Sequence, residues 1–199
     1  MTDTRDQIAG LLLAAGGGRR LGGRPKALLT HRGRPLVEYA VGVLRAGGCG
    51  PVHVVLGALA DEVRERAGLD GCVVVENPDW AEGMGSSLRV GLESLAGAGM
   101  PAAVVSLVDQ PGIGGAAVAR VLGGYRDRNS LVSAAYDGVR GHPVLFGSAH
   151  WAGIAASATG DRGARAYLKA HEEAITLVEC GDVAEPYDID TEADLGHLE

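Results

Sequence analysis

The sequence predicts an α/β fold with a mostly parallel β-sheet, because short β-rich runs alternate with longer helical patterns along its 199 residues. Several of these runs are almost continuously apolar, as expected of strands that are buried on both faces. No linker, repeat or change of composition interrupts the alternation, so we expect a single domain over residues 1–199. Ligands of such folds bind beyond the carboxyl ends of the strands, which is where the unusual residues of this chain fall.

Seven runs are predicted to be strands. The 32 glycines are scattered near the predicted element ends, so they indicate many turns and not a low-complexity tract. The predicted strands are Ile8–Ala14, Val52–Leu56, Cys72–Glu76, Ala102–Leu107, Leu131–Ala135, Val144–Phe146 and Ile175–Val178.

Six helical patterns separate or follow these strands. Pro35 suits the first position of the first helix, where a missing N–H costs nothing. Thr191 followed by Asp194 resembles an N-cap with an acidic residue at N3, which predicts the start of the last helix. The predicted helices are Leu36–Ala46, Asp61–Ala67, Ser86–Leu95, Ala116–Tyr125, Arg162–His171 and Thr191–Leu198.

The turn after the first strand is rich in glycine. Residues 11–29 read LLLAAGGGRRLGGRPKALL, so an apolar run stops at three consecutive glycines. Successive backbone N–H groups in such a turn can form an anion-binding concavity. Two known phosphate loops do not match: the Walker loop fails at Gly23 and Arg24, and the dinucleotide fingerprint fails at Leu21. The plainer interpretation is a surface turn beside solvated arginines.

The charge of the chain is distributed unevenly. Residues 7–37 carry six cations and no acid, a net charge of +6, so the rest of the chain sums to −13 in a protein of net charge −7. A nucleic-acid binder usually has a broad basic surface, so this local block favours a small anionic ligand. Four of the cations lie between Arg19 and Lys26 and repel one another. At about 4 Å and an effective dielectric near 20, a pair of unit charges is worth roughly 4 kcal/mol, which a triphosphate would turn into attraction.

Two further segments supply carboxylates. SLVDQP places Asp109 just after an apolar strand, and PYDIDTEADL supplies Asp188 and Asp190 before the last helix. Carboxylates at the end of a strand can hold Mg²⁺, which prefers hard oxygen ligands. If the second segment is extended, Asp188 and Asp190 share one side of the chain. The alternatives are that Asp109 caps a helix and that the later acids line a solvated surface.

The stretch from Leu13 to Lys26 resembles the N-terminal loop of the MobA-like NTP transferase superfamily, the nucleotidyltransferases of molybdenum-cofactor type. This resemblance implies a three-layer, Rossmann-like nucleotidyltransferase architecture of the nucleotide-diphospho-sugar transferase kind. It also implies Mg²⁺ as cofactor, Lys26, Arg19 and Asp109 as catalytic residues, and Asp109 with Asp190 as metal ligands, Asp188 being the rival of Asp190. The implied nucleotide-binding residues are Leu13, Ala14, Ala15, Gly16, Gly17, Gly18, Arg19, Lys26, Asn77, Gly83, Ser86 and Ser87.

Three other segments resemble the cytidylyltransferase branch of this superfamily: NPDWAEGMGSSL from Asn77, GHPVLF from Gly141 and GDRGAR from Gly160. Ala15 also matches that branch, since the guanylyl branch has glycine there. Gly83 and Gly85 would permit close approach of a ligand. The implied acceptor-binding residues are His142, Arg162 and Arg165, the arginines clamping a second phosphate. Trp80 and Met84 are interpreted as packing residues. Two plainer interpretations stay open: His142 as an ordinary residue at a strand edge, and GDRGAR as the start of a helix.

The resemblance implies transfer of CMP from CTP to molybdenum-molybdopterin with release of pyrophosphate. The acceptor oxygen is already anionic, so no Ser/His/Asp or Cys/His constellation is required. Expected partners are CTP or another NTP, a molybdopterin-type or other phosphorylated acceptor, and a molybdoenzyme client, with no nucleic acid. Four alternatives stay open: guanylyl transfer, transfer to a sugar phosphate or metabolite, a small oxidoreductase using a nicotinamide or flavin cofactor, and a non-catalytic chaperone of a molybdoenzyme.

No membrane contact is expected from the sequence. Its apolar runs are too short to cross a bilayer, and the polar start MTDTRDQ lacks the apolar core of a signal peptide. The expected location is therefore cytoplasmic.

Overall fold

The structure is a computed structural model that describes residues 8–198. It contains nine strands and six α-helices within those residues. The strands are β1 (Ala9–Ala14), β2 (Thr30–His31), β3 (Arg34–Pro35), β4 (Val52–Leu56), β5 (Val73–Glu76), β6 (Ala102–Leu107), β7 (Leu131–Tyr136), β8 (Val139–Gly147) and β9 (Ile175–Glu179). The helices are α1 (Leu36–Ala46), α2 (Ala60–Arg66), α3 (Met84–Gly97), α4 (Gly115–Gly123), α5 (Trp151–Ser157) and α6 (Arg165–Ala170).

Seven strands form one sheet in the order β5–β4–β1–β6–β8–β7–β9, and β2 and β3 form a separate antiparallel ribbon. β8 is the antiparallel member of the large sheet and lies between β6 and β7, whereas the other neighbouring pairs are parallel. The predicted α/β class with a mostly parallel sheet is therefore confirmed.

Helices cover both faces of the sheet and make three layers. One apolar cluster joins the sheet to α1, α2 and α4 and includes Leu36, Leu44 and Val118, all at 0% exposure. The opposite cluster joins the sheet to α3, α5 and α6 and includes Leu95 and Ile154, also at 0% exposure. The central strands are buried on both faces, which explains why their sequences are continuously apolar.

Most predicted elements lie within two residues of their observed bounds, and four details differ from the prediction. The strand predicted from Val144 begins at Val139, because Asp137 and Gly138 adopt left-handed φ angles and close a hairpin with β7. The predicted helix at Arg162–His171 is divided by Gly163, whose φ is +51°. Pro35 is the N-cap of α1 and not its first residue. The last predicted helix is a 3₁₀ helix, Glu192–His197, which has the predicted capping box.

The pairing of the central strands positions the unusual loops. β1 lies between β4 and β6, with Leu13 opposite Leu107, so the glycine loop and Asp109 leave the sheet side by side. The C-terminal segment returns to this edge, where the N–H of Ile189 donates to the carbonyl of Asp109 at 2.9 Å. None of the helices in the described chain is both long and apolar enough to cross a bilayer.

Candidate active site

The glycine loop is fixed to the protein by one apolar side chain and one close backbone contact. Leu21, in the short 3₁₀ helix Arg19–Leu21, is fully buried in the core. Gly18 has a left-handed φ of +59°, and a Cβ there would lie 1.9 Å from the carbonyl oxygen of Arg24. The N–H groups of Leu21 and Gly23 both donate to the carbonyl of Gly18, at 2.8 and 3.1 Å. The loop is therefore held in one conformation that only glycine at position 18 permits.

The other two glycines of the run face a cavity. Gly16 is exposed and Gly17 half-buried, and within residues 8–198 neither backbone N–H donates a hydrogen bond. The ring of Trp80 lies against Gly17, where a Cβ would be 2.9 Å from its Cζ3 atom. These two N–H groups are available to an anionic ligand.

Lys26 and two carboxylates meet beside this loop. The Nζ atom of Lys26 lies 2.7 Å from Oδ2 of Asp109 and also donates to Oδ1 of Asp190. The side chains of Lys26 and Asp109 are only 14% and 18% exposed, whereas that of Asp190 is 45% exposed. Asp188 does not join them, because its Oδ1 atom accepts a hydrogen bond from Nε2 of Gln110 at 2.8 Å.

The surroundings shift the pKa values of both buried members of this group. Burial alone would lower the pKa of Lys26, but the charges of Asp109 and Asp190 and the hydrogen bonds to them raise it above its ordinary value. Burial raises the pKa of Asp109, and the charges of Asp188 and Asp190 add to that effect while Lys26 opposes it. The lysine thus supports the ionised form of an acid that the protein interior disfavours.

The four cations of the loop are therefore not all uncompensated, contrary to the interpretation of the sequence. Lys26 pairs with Asp109 and Asp190, and Arg24 lies 3.1 Å from Glu192 on the surface. Arg19 and Arg20 are exposed and form no side-chain hydrogen bond or ion pair with residues 8–198. The acids that compensate the loop come from distant parts of the chain, which sequence proximity does not reveal.

A cavity of about 560 Å³ opens over the loop. Nine of the predicted nucleotide-binding residues line it, as do all three predicted metal ligands. It is also lined by four residues for which no binding role was predicted: Arg20, Trp80, Met84 and Asp161. The predicted residues that line the cavity are Leu13, Ala15, Gly16, Gly17, Gly18, Arg19, Lys26, Gly83, Ser87, Asp109, Asp188 and Asp190.

Three predicted nucleotide-binding residues do not line this cavity. Ala14 packs into the core. Asn77 is 1% exposed and donates to the hydroxyls of Ser86 and Ser87 at 2.8 and 2.9 Å. The Ser86 hydroxyl donates to the carbonyl of Gly83 at 2.9 Å, so it is directed into the protein. These residues fix the beginning of α3, and only Ser87 among the hydroxyls reaches the cavity wall.

The glycines of this segment allow close packing of the protein on itself. A Cβ at Gly83 would lie 2.6 Å from the backbone of Gly160, and one at Gly85 would lie 2.8 Å from the nitrogen of Thr159. The expectation that both glycines serve the approach of a ligand is wrong for Gly85, which is buried against this neighbouring segment.

A second cavity, of about 450 Å³, adjoins the first. All three predicted acceptor-binding residues, His142, Arg162 and Arg165, line it, together with Arg140. The two cavities share five lining residues: Leu13, Met84, Leu107, Asp161 and Asp188. Arg140, which is half-buried on β8, carried no recognisable signal, because its neighbourhood depends on the hairpin of β7 and β8.

His142 lines the second cavity next to a point where the pairing of β7 with β8 is irregular. The register shifts between Ser133 and Ala134, and the hydroxyl of Ser133 donates to the carbonyl of Gly141 at 3.1 Å. The His142–Pro143 peptide bond is cis. Desolvation lowers the pKa of His142 to about 4, so its imidazole is neutral at neutral pH and offers hydrogen bonds but no charge.

The lowered pKa of His142 predicts acid sensitivity. The unfolded chain binds a proton at this residue below about pH 6.5 whereas the folded chain does not until about pH 4, so folding free energy is lost as the pH falls through that range. Between about pH 7.5 and about pH 5, wild type should lose about 2 kcal/mol more than His142→Asn. Urea unfolding of both proteins at both pH values measures this difference. Equal losses would contradict the desolvation of this ring.

Comparison with known proteins agrees with this geometry. Residues 10–175 match the MobA-like NTP transferase domain. The chain is 41% identical over 191 residues to nicotine blue oxidoreductase of Paenarthrobacter nicotinovorans, with 92% of each chain covered. It is 38% identical over 111 residues to a molybdenum cofactor guanylyltransferase of Cereibacter sphaeroides, covering 55% of this chain and 53% of that protein.

Solved structures of mycobacterial proteins share the whole fold. A homologue of Mycobacterium tuberculosis Rv0371c from Mycobacterium sp. strain JC1 superposes with a TM-score of 0.82 and 31% identity, covering 97% of this chain and 95% of that one. Rv0371c itself, in a complex with manganese, superposes with a TM-score of 0.74 and 28% identity, covering 96% and 97%. The sequence match and these superpositions show that the chain belongs to the MobA-like NTP transferase family.

Proposed function

We propose that this protein transfers CMP from CTP to a phosphorylated acceptor of molybdopterin type, with a divalent cation and with release of pyrophosphate. The observation that supports this best is the pair of adjoining cavities. The first contains the glycine loop, Lys26 and the carboxylates, and the second contains arginines from two segments. Two anionic substrates can therefore bind with their reacting ends at the shared wall.

In this proposal the triphosphate lies along the glycine loop. The N–H groups of Gly16 and Gly17 contact its oxygens, and Arg19 and Lys26 neutralise its charge. An oxygen of the acceptor phosphate attacks the α-phosphorus, a new P–O bond forms, and the bond to the bridging oxygen of the β-phosphate breaks. Pyrophosphate leaves with that electron pair. The attacking oxygen is already anionic, so the site needs no general base.

The carboxylates fit a divalent cation such as Mg²⁺. Asp109 and Asp190 direct one oxygen each at a single positive charge, that of Lys26. Within residues 8–198 no three His, Cys, Asp or Glu side chains are placed to hold one metal ion, so phosphate and water oxygens would complete the shell, as is usual for Mg²⁺. When bound, the cation would supply Lewis-acid polarisation of the phosphate oxygens. The structural neighbour Rv0371c was solved in a complex with manganese, which supports the use of a divalent cation in the proposed reaction.

The acceptor is assigned to the second cavity. Arg162 and Arg165 are exposed at its mouth and make no ion pair with residues 8–198, so both guanidinium groups are available to phosphate. His142 is neutral and half-buried in the same wall, where it can donate to or accept from the acceptor. The inner wall of the second cavity is apolar and contains Leu88, Val144 and Phe146, which suits the flat ring system of an acceptor.

The preference for CTP rests on Ala15. This residue is 6% exposed and lines the first cavity. Its methyl group is closely packed, since a Cβ added at Gly57 would lie only 2.8 Å from it. Such a fixed methyl leaves less room for a purine than for a pyrimidine. We expect CTP to be preferred over GTP by at least about tenfold in kcat/KM, a difference of about 1.4 kcal/mol.

Pyrophosphate release tests this proposal directly. Each of the four NTPs is supplied with Mg²⁺ and either a molybdopterin-type acceptor or a sugar phosphate, and the same mixtures without acceptor are the controls. Acceptor-dependent release with CTP supports the assignment. A preference for GTP would refute the cytidylyl assignment and leave nucleotidyl transfer standing, and release only with a sugar phosphate would reassign the acceptor.

A redox reaction is the second candidate, because a relative that is 41% identical over 92% of both chains is an oxidoreductase. The same cavities would then hold a hydride-donating cofactor and a ring that accepts the hydride and is reduced. The loop lacks the dinucleotide fingerprint, with Leu21 where its last glycine belongs. Consumption of NADH or NADPH by the protein with a quinone-like dye, without release of pyrophosphate from any NTP, would favour this candidate.

A further inference from the structure

A lysine ammonium lies at the position that the proposed function gives to a divalent cation. Lys26 donates to Asp109 and Asp190, which lie 83 and 164 residues away in the sequence and are brought next to the lysine by the fold. Both Lys26 and Asp109 are more than four-fifths buried, so solvent contributes little to neutralising either charge. Two cations cannot share one position between two carboxylates, because their repulsion is strong in a partly buried site.

We infer that Lys26 and the divalent cation exclude one another at Asp109 and Asp190, and that the triphosphate resolves this competition by drawing the ammonium onto its own oxygens. The inference rests on the cation-dependent part of the proposed function. The lysine side chain is suited to such an exchange, since it is a point charge on a flexible four-carbon stem. It also lines the cavity that contains Gly16 and Gly17, so a triphosphate bound there lies within its reach.

The charges define the consequence. With Lys26 in place, the group of one ammonium and two carboxylates carries a net charge of −1, and with Lys26 withdrawn the two carboxylates carry −2. A divalent cation is therefore attracted weakly by the protein alone and more strongly after the nucleotide has taken the lysine. Binding of the cation and of the nucleotide is then positively coupled, and by linkage each raises the affinity of the other.

Removal of the lysine charge tests this inference without any nucleotide. Mn²⁺ binding is measured by electron paramagnetic resonance at about pH 8, where ordinary carboxyl groups are ionised. Lys26→Met should bind Mn²⁺ at least about tenfold more tightly than wild type, because the competing ammonium is gone. Arg24→Met is the matched control, since Arg24 is a cation of the same loop that pairs with exposed Glu192. It should change the affinity by less than about twofold, as expected of a screened surface charge.

Two further variants locate the effect. The double variant Lys26→Met/Asp109→Asn should lose the gained affinity, which assigns the Mn²⁺ to this pair of carboxylates. Lys26→Gln, which keeps a polar end, should reproduce the tighter binding if Lys26→Met proves unstable by circular dichroism. Equal Mn²⁺ affinity of wild type and both Lys26 variants would overturn the exchange. If the Lys26 variants bind Mn²⁺ more tightly but wild type releases no pyrophosphate, the exchange is supported and the proposed reaction is contradicted.

Discussion

Asp109→Asn should lower the rate of cation-dependent pyrophosphate release by about a thousandfold while the protein stays folded. The substitution keeps the shape of the side chain but removes the charge that faces Lys26 at 2.7 Å. The backbone carbonyl of Asp109 still accepts the hydrogen bond from the N–H of Ile189, so the C-terminal segment should stay bound to this edge of the sheet. Initial rates with CTP, Mg²⁺ and the molybdopterin-type acceptor measure the loss of activity, and a thermal unfolding curve shows whether the protein stays folded.

The neighbouring acids provide graded controls for that result. Asp190→Asn removes the negative charge of the second carboxylate that contacts Lys26, and it should lower turnover to a similar extent. Asp188→Asn should be milder, with a loss of less than about tenfold, because Asp188 is bonded to Gln110 and not to the lysine. Wild-type release from Asp109→Asn would remove the metal role from this residue. Wild-type activity of both other variants would remove the second carboxylate from the mechanism.

Gly18→Ala should weaken CTP binding at least about a hundredfold, since small displacements of a positioning loop have effects of this size. The added methyl would lie 1.9 Å from the carbonyl oxygen of Arg24, and the φ of +59° is itself unfavourable for alanine. The loop must therefore rearrange, and the N–H groups of Gly16 and Gly17 move with it. Calorimetric titration with CTP and Mg²⁺ measures the loss.

Gly22→Ala is the matched control for Gly18→Ala. Gly22 has a similar left-handed φ of +70°, but no heavy atom lies within 4 Å of an added Cβ. The Gly22→Ala variant therefore has the cost of placing alanine at a left-handed φ, about 1–2 kcal/mol, without a steric clash. Gly22 does not line the cavity. CTP affinity should therefore fall by less than about tenfold in Gly22→Ala. An equal loss in both variants would show that conformational preference, and not the contact with Arg24, controls the loop.

The fold class and most element bounds could be predicted from the sequence because local patterns determine them. β4, β6 and α1 have the predicted bounds, since each is an apolar or amphipathic run that stops at a glycine or near a charged residue. The antiparallel insertion of β8 was not predicted, although Asp137–Gly138 is a typical hairpin signal. The short helix Trp151–Ser157 was also missed, because its seven residues contain a glycine and too few turns to show a period.

The sequence by itself indicated many members of the candidate site: the glycine loop with Lys26, the carboxylates in two later segments, and a histidine and arginines further along the chain. Only the tertiary structure decided their relations. It paired Lys26 with Asp109 and Asp190, turned Asp188 toward Gln110, and directed Asn77 and Ser86 into the protein. The physical reason is the distance along the chain over which each kind of interaction acts. Periodicity and turn chemistry act over a few residues, whereas an ion pair between residues 83 and 164 positions apart depends on which strand ends the sheet brings together.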